Sequence, residues 1–173
     1  MKLFKEIAQD AVSLTSVKTG ENVSRNNLLR AISYDSFAIL TTTRIRNWAQ
    51  RWHIPVINRA LRLCQMSIYG IEIAKEAKLG AGVNFVHSLG TVIGGNSQIG
   101  PRTVFLGNNT VGNLENRGYP TIGADVIVGA GARILGPIAI GDGAKIGANA
   151  VVVSDVPAGA IAVGIPAKCR PSM

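Results

Sequence analysis

His87 and Glu72 are the two side chains of this sequence whose type and spacing point to joint chemistry. A neutral imidazole is well matched to removing a proton from a hydroxyl near neutral pH. It works better when a carboxylate holds the ring and supports the positive charge that develops on it. Glu72 lies fifteen residues before His87, about one turn back if three six-residue faces make a coil. The other histidine, His53, falls between Trp52 and Pro55 at a helix end, where a structural or surface role is expected. No GxSxG elbow, Walker A sequence or dinucleotide fingerprint is present, so no activated serine or phosphate loop is read. GAGAR at 129–133 reads as a corner of a repeat. Cys64 and Cys169 are far apart and lack ligand-like neighbours, which implies free thiols, no metal site and a reducing, cytoplasmic compartment.

The element that must position these groups is a repeat of six. Ile122, Val128, Ile134, Ile140, Ile146 and Val152 recur at that spacing, mostly followed by glycine. Ile93, Ile99, Phe105 and Val111 form a second run, and Ile73, Leu79 and Phe85 a third. No α-helix has a period of six, and simple alternation does not explain the small residue behind each aliphatic. The pattern predicts a solenoid of three short strands per coil, each recurring aliphatic pointing inward and stacking on its equivalent one coil above. Two interruptions break the register. Phe85 to Ile93 is two residues too long and contains His87; Val111 to Ile122 is five too long and contains the polar segment Gly112 to Thr121. Loops on a regular scaffold are where chemistry concentrates.

The chain has 173 residues, 47% of them apolar, and a formal charge of +8, of which +6 lies in residues 1–68. No nucleic-acid-binding motif accompanies that charge; an anionic ligand or an anionic membrane surface suits it equally well, and ordinary solvated charge is the alternative. No stretch approaches a transmembrane span, and MKLFKEIAQDA carries acids without a cleavage site. Helical spacing covers 3–14, with a break over Thr15 to Ser24 around Gly20 and Asn22. A short helix capped by Asn26 or Asn27 is followed by a longer one from Asp35 or Ser36. Phe37, Thr41, Ile45, Trp48 and Trp52 share a face of that longer helix, the tryptophans as packing residues. Pro55 starts another helix. The expected organisation is mainly β: an N-terminal helical region over 1–68, a parallel β-helix over 69–155, and an irregular tail over 156–173, with Pro157, Pro166 and Pro171, folded against the last coils. Each end of the solenoid needs a cap for its bare core and unpaired strand edges.

YGIEIAKEAKLG, NFVHSLGTVIGG and the block from Pro120 to Ala167 resemble the serine acetyltransferase branch of the hexapeptide-repeat acyltransferases, over about residues 69–170. LTTTRIRNWAQRW resembles the N-terminal region of its smaller members. The resemblance implies a trimeric left-handed parallel β-helix that uses acetyl-CoA, with active sites between subunits. The family's catalytic histidine falls on His87 as general base, and the acid of its dyad on Glu72. Backbone amides near Gly107 and Asn108 match positions beside the thioester, one of them stabilising the oxyanion. Ala130 and Ala148 match positions along the pantetheine arm, and Lys168 and Arg170 lie where the tail can meet CoA phosphates.

The departures from that pattern concern the acceptor. Serine-acetylating members usually carry Asp before the catalytic histidine, where this chain has Val86. They also carry Arg-His-Pro after the extended loop, where this chain has Gly118, Tyr119 and Pro120, with Arg117 one residue displaced. Leaving an amino acid's charges unpaired in a dry site is costly. The expectation is therefore transfer to a neutral hydroxyl of a sugar or polysaccharide precursor, with Tyr119 packing on a sugar face and peripheral membrane contact near lipid-linked precursors. Asn108, Asn109, Asn113 and Asn116 supply neutral hydrogen bonds, or serve as turn formers. Serine O-acetylation and a non-catalytic β-helix binding module are the alternatives. A zinc carbonic anhydrase on the same scaffold is excluded, because its three histidine ligands cannot come from coils containing one histidine.

Overall fold

The computed structural model describes residues 2–19 and 24–170. Four helices precede the strands: α1 (Lys2–Thr19), α2 (Arg25–Ile32), α3 (Asp35–Arg51) and α4 (Pro55–Tyr69). Helix α1 runs past Thr15, where a break was expected; Gly20, Asn22 and Pro171 lie outside the described residues. Ser24, rather than an asparagine, caps α2 by accepting from Asn27 N–H at 3.2 Å. Gly70 ends α4 in a left-handed conformation (φ 59°), and the chain then enters the first coil.

The six-residue repeat forms three parallel faces. Ile73, Ile93, Val111, Ile134 and Val152 stack on the first, with Cα register between successive coils. Leu79, Ile99, Ile122 and Ile140 stack on the second. Phe85, Phe105, Val128, Ile146 and Ala162 stack on the third, where the Phe85 and Phe105 rings lie 5.4 Å apart. Every recurring aliphatic is buried, so each contributes roughly 1.5–3 kcal/mol of transfer free energy. The two interruptions loop out at corners, and the stack closes across them.

Helix α3 covers the start of the stack, through a face the periodicity did not predict. The buried residues are Ser36, Ile39, Leu40, Thr43, Arg44, Arg46 and Ala49, while Trp48 and Trp52 stay exposed against each other with centroids 6.4 Å apart. The first coil has no strand below it, so its outward backbone groups need partners. Arg46 Nη2 donates to Ile73 O on the first face at 3.0 Å. Arg44 Nη1 donates to Leu79 O on the second at 2.7 Å. On the third face the Ser36 hydroxyl accepts from Phe85 N–H at 3.0 Å and donates to Asn84 Oδ1 at 2.8 Å. One helix thus serves all three edges, and polar residues must face inward to do so. Arg44 is neutralised by fully buried Asp10 of α1 through bonds of 3.0 and 3.1 Å.

At the other end Val156 bridges to Ile140, and the chain beyond it lies against the last coil. It is more regular than an irregular segment: strands Ile161–Gly164 and Ala167–Arg170 form an antiparallel pair that extends the third face. Among the described residues no helix is long and apolar enough to cross a membrane. Nor does any group of three or more His, Cys, Asp or Glu among them lie placed to hold a metal.

Candidate active site

The interruption that carries His87 turns the corner from the third face to the first. It is pinned to the chain entering the coil below. Ser88 Oγ donates to Tyr69 O at 2.6 Å, Gly90 N–H to Gly70 O at 2.9 Å, and Glu72 N–H to Thr91 O at 2.9 Å. His87 itself is exposed at the corner, beside exposed Val86, whose N–H donates to Phe105 O at 2.9 Å. Gly107 of the next coil passes directly over it. A Cβ there would lie 2.9 Å from His87 Cβ and 3.0 Å from its carbonyl oxygen, at a φ of +122° that side chains rarely adopt.

The same corner continues upward through the coils. Asn108 N–H donates to Leu89 O at 3.0 Å, Gly131 N–H to Gly107 O at 2.9 Å, and Asn149 N–H to Ala130 O at 2.9 Å. His87, Gly107, Asn108, Ala130 and Ala148 therefore share one edge of four successive coils. Exposed Ala130 and Ala148 offer only methyl groups to whatever lies along that edge. Lys168 stands opposite Val163, whose side chain borders Gly147, so it sits at the top of the same corner. Arg170 stands opposite Ile161, at the far end of its strand.

Two features differ from the expected arrangement. The Gly107 and Asn108 amides are used inside the chain, Gly107 N–H donating to Asn109 Oδ1 at 3.0 Å, so neither is free for an oxyanion in this conformation. Gly107's lack of a side chain, rather than its amide, is what the His87 corner uses. The Glu72 carboxylate is held by the Arg62 guanidinium of α4, and among the described residues the His87 ring takes no hydrogen-bond partner. Buried Arg46 lies within electrostatic reach of both; burial first, and then the charge of Arg62, hold its pKa below the usual value, opposed by Glu72.

The second interruption goes elsewhere. Tyr119 lies over Gly94 and Gly95 at the opposite edge of the first face, where a Cβ on Gly95 would come within 1.9 Å of the ring. Exposed Arg117 pairs with Glu115 at 2.7 Å. Within one chain neither Arg117 nor Tyr119 reaches the His87 corner.

Sequence reasoning missed Arg62, Arg133 and the structural part played by Asn109. Arg133 Nη1 donates to Asn108 O and, at 3.1 Å, to Thr110 Oγ1. Fully buried Asn109 also donates to Gly129 O at 2.7 Å, tying two coils together. A signal for Asn109 exists: the equivalent positions of other coils hold Thr91, Ala132 and Ala150.

Comparison with known proteins adds the family. Residues 119–154 match the bacterial transferase hexapeptide (six repeats). The serine acetyltransferase of Helicobacter pylori (strain 26695) is 38% identical over 159 residues, covering 90% of this chain and 93% of that protein. That of Synechococcus elongatus is 34% identical over 169 residues, covering 96% of this chain and 68% of that protein. Among solved structures, a serine acetyltransferase in complex with CoA superposes with a TM-score of 0.84 at 28% identity, covering 97% of this chain and 69% of that one. The Neisseria gonorrhoeae serine acetyltransferase in complex with serine gives 0.83 at 31%, covering 96% and 68%.

These matches overturn the expectation of a sugar or polysaccharide acceptor, which rests on Val86 in place of Asp and on Gly118, Tyr119 and Pro120 in place of Arg-His-Pro. The structure puts Arg117 and Tyr119 at another corner, so their identity does not define the acceptor pocket of the same chain. Membrane contact, expected from the charge of residues 1–68, finds no support in these matches. The chain is a left-handed parallel β-helix of the serine acetyltransferase family and an acetyl-CoA-dependent O-acetyltransferase.

Proposed function

We propose that the acceptor is the side-chain hydroxyl of serine and the product O-acetylserine. The observation that carries this reading is the near end-to-end match to the Helicobacter pylori serine acetyltransferase, over 93% of that protein. His87, exposed on the corner that continues past Ala130 and Ala148, removes the hydroxyl proton as the oxygen attacks the thioester carbonyl. The C–S bond then breaks, CoA leaves as the thiol, and the imidazolium returns its proton to the sulfur. Glu72, one coil below, supplies negative charge on that side of the ring. Ala130 and Ala148 border the pantetheine arm, and Lys168 meets CoA phosphate, with Arg170 at the outer rim. The domain division follows: helices over 1–68 as cap, 69–155 as the acyl-transfer coils, and 156–173 as the closing segment.

We also infer a homotrimer. Exposed Val86, Leu89 and Leu106 form an apolar strip around the His87 corner, suited to cover by another chain. A neighbour's 113–119 loop can then bring Arg117 and Tyr119 to the acceptor, although neither reaches it within one chain. CoA release should depend on L-serine, and no serine-dependent release would overturn the assignment. His87→Ala should lower turnover about 10²- to 10⁴-fold with the oligomer intact by light scattering. Unchanged turnover would remove the histidine's role.

A further inference from the structure

A cleft lies away from the His87 edge, between the start of α4 and the first coil. This open cleft has a volume of about 500 Å³, within the range of small-molecule sites. Its lining includes Ile54 and Pro55 on the apolar side and His53, Arg59, Arg62 and Lys75 on the other; among the described residues no Asp or Glu lines it. The cations are only partly neutralised. Arg59 has no carboxylate partner among the described residues, and Lys75 meets Glu76 at 3.6 Å on the surface. Arg62 holds Glu72. Buried Arg46 adds another positive charge close by, its Nε without a hydrogen-bond partner among the described residues. The field in the cavity is therefore that of the Arg59, Arg62 and Arg46 guanidinium groups and the Lys75 ammonium set against the carboxylates of Glu72 and Glu76 outside it, which attracts an oxyanion.

We propose that this cavity binds a small organic oxyanion, a carboxylate or phosphate on a compact apolar body, which competes with Glu72 for Arg62. Arg59 and Lys75 grip the anion from the rim, Ile54 and Pro55 contact its apolar part, and Arg62 is shared. A planar guanidinium offers several N–H donors, of which Glu72 accepts from Nη2 alone, and an oxyanion drawing on the others competes for the same charge. Occupancy therefore loosens the hold of Arg62 on the Glu72 carboxylate. By linkage, anything that removes Glu72 from Arg62 tightens the anion by the same factor. The consequence for catalysis rests on the reading of Glu72 as partner of His87; the binding does not.

The test is calorimetric titration of the full chain with inorganic phosphate and, separately, succinate, with CoA saturating so that its own phosphate site is filled. Both probes should bind at millimolar concentration or tighter, and the stronger one identifies the preferred oxyanion. Arg59→Gln and Lys75→Gln, both at exposed positions, should each weaken binding about tenfold. Lys5→Gln, at an exposed position of α1, should not. Glu72→Gln should tighten binding in the wild-type background, and that gain should vanish beside Arg62→Gln. Circular dichroism of each variant separates lost binding from lost folding. No binding by wild type, equal binding by Arg59→Gln and Lys75→Gln, or a Glu72→Gln gain that persists without Arg62 would each overturn the proposal. Because the readout is binding, it stands or falls apart from the serine assignment.

Discussion

The coils and the helical cap are both well packed, but they solve opposite problems. In the coils the backbone satisfies itself from one turn to the next, so side chains pointing inward need only be apolar and stackable. The cap meets a coil whose lower edges have no strand beneath them. Its buried face therefore carries Ser36, Thr43, Arg44 and Arg46 among the aliphatics, with Asp10 and Gln65 behind them. Gln65 alone donates to Ile39 O at 3.1 Å and receives Arg46 Nη1 at 2.5 Å. The lesson is that a repeating scaffold concentrates its polar cost at the end where repetition begins.

Substitutions can break that contrast in graded steps. Arg44→Ala should have the largest effect, about 3–5 kcal/mol by urea denaturation, because Asp10 and the Leu79 and Gly80 carbonyls lose their partner together. The double replacement Asp10→Leu with Arg44→Met should recover only part of that loss, since Leu79 and Gly80 carbonyls remain uncovered. Full recovery would mean that the cap is held by apolar packing like the coils. Within the coils, Ile134→Ala should cost about 2–5 kcal/mol and Ile134→Val about 0.5–1.5, because the side chain is wholly buried between Val111 and Val152. Ser36→Ala should cost about 1–3 kcal/mol by leaving Phe85 N–H buried without its acceptor.

The smallest effect belongs to the exposed Arg102–Asp125 pair, where Nε meets Oδ1 at 2.6 Å. The hydrogen bond from Arg102 holds the Asp125 pKa below the usual value, against a smaller opposing effect of burial. A depressed carboxyl contributes stability above its unfolded pKa and loses it as pH falls through the folded one. Asp125→Asn should therefore cost less than about 1 kcal/mol at neutral pH, and the difference should shrink on acidification below about pH 4 and in high salt. A large, salt-independent loss would show that this surface pair resembles the cap more than the coils.

Legibility in the sequence follows the same division. The hexad named every stacked residue from Ile73 to Val152, because in the coils apolar means inward. The rule that served there misplaced α3: Phe37, Ile45 and Trp48 appeared to mark its inner face, yet the residues that read strand carbonyls are polar. The tail looked irregular because Pro157 and Pro166 punctuate it, but Ala162 continues the third stack and its partner strand pairs back on it. At the candidate site, His87 was visible as a break in register. The hold of Arg62 on Glu72 was not, since it joins a helix to a strand ten residues on. The seat of Tyr119 on Gly95 depends on how the loop folds back, which spacing does not encode.

Ser36 grips Phe85, two residues before His87. The height of the imidazole along the solenoid axis is therefore measured from the helical end, as on a ruler whose zero is α3. Coils can be added or trimmed at the far end without moving that mark, whereas a shift of the helix by one turn carries the histidine with it.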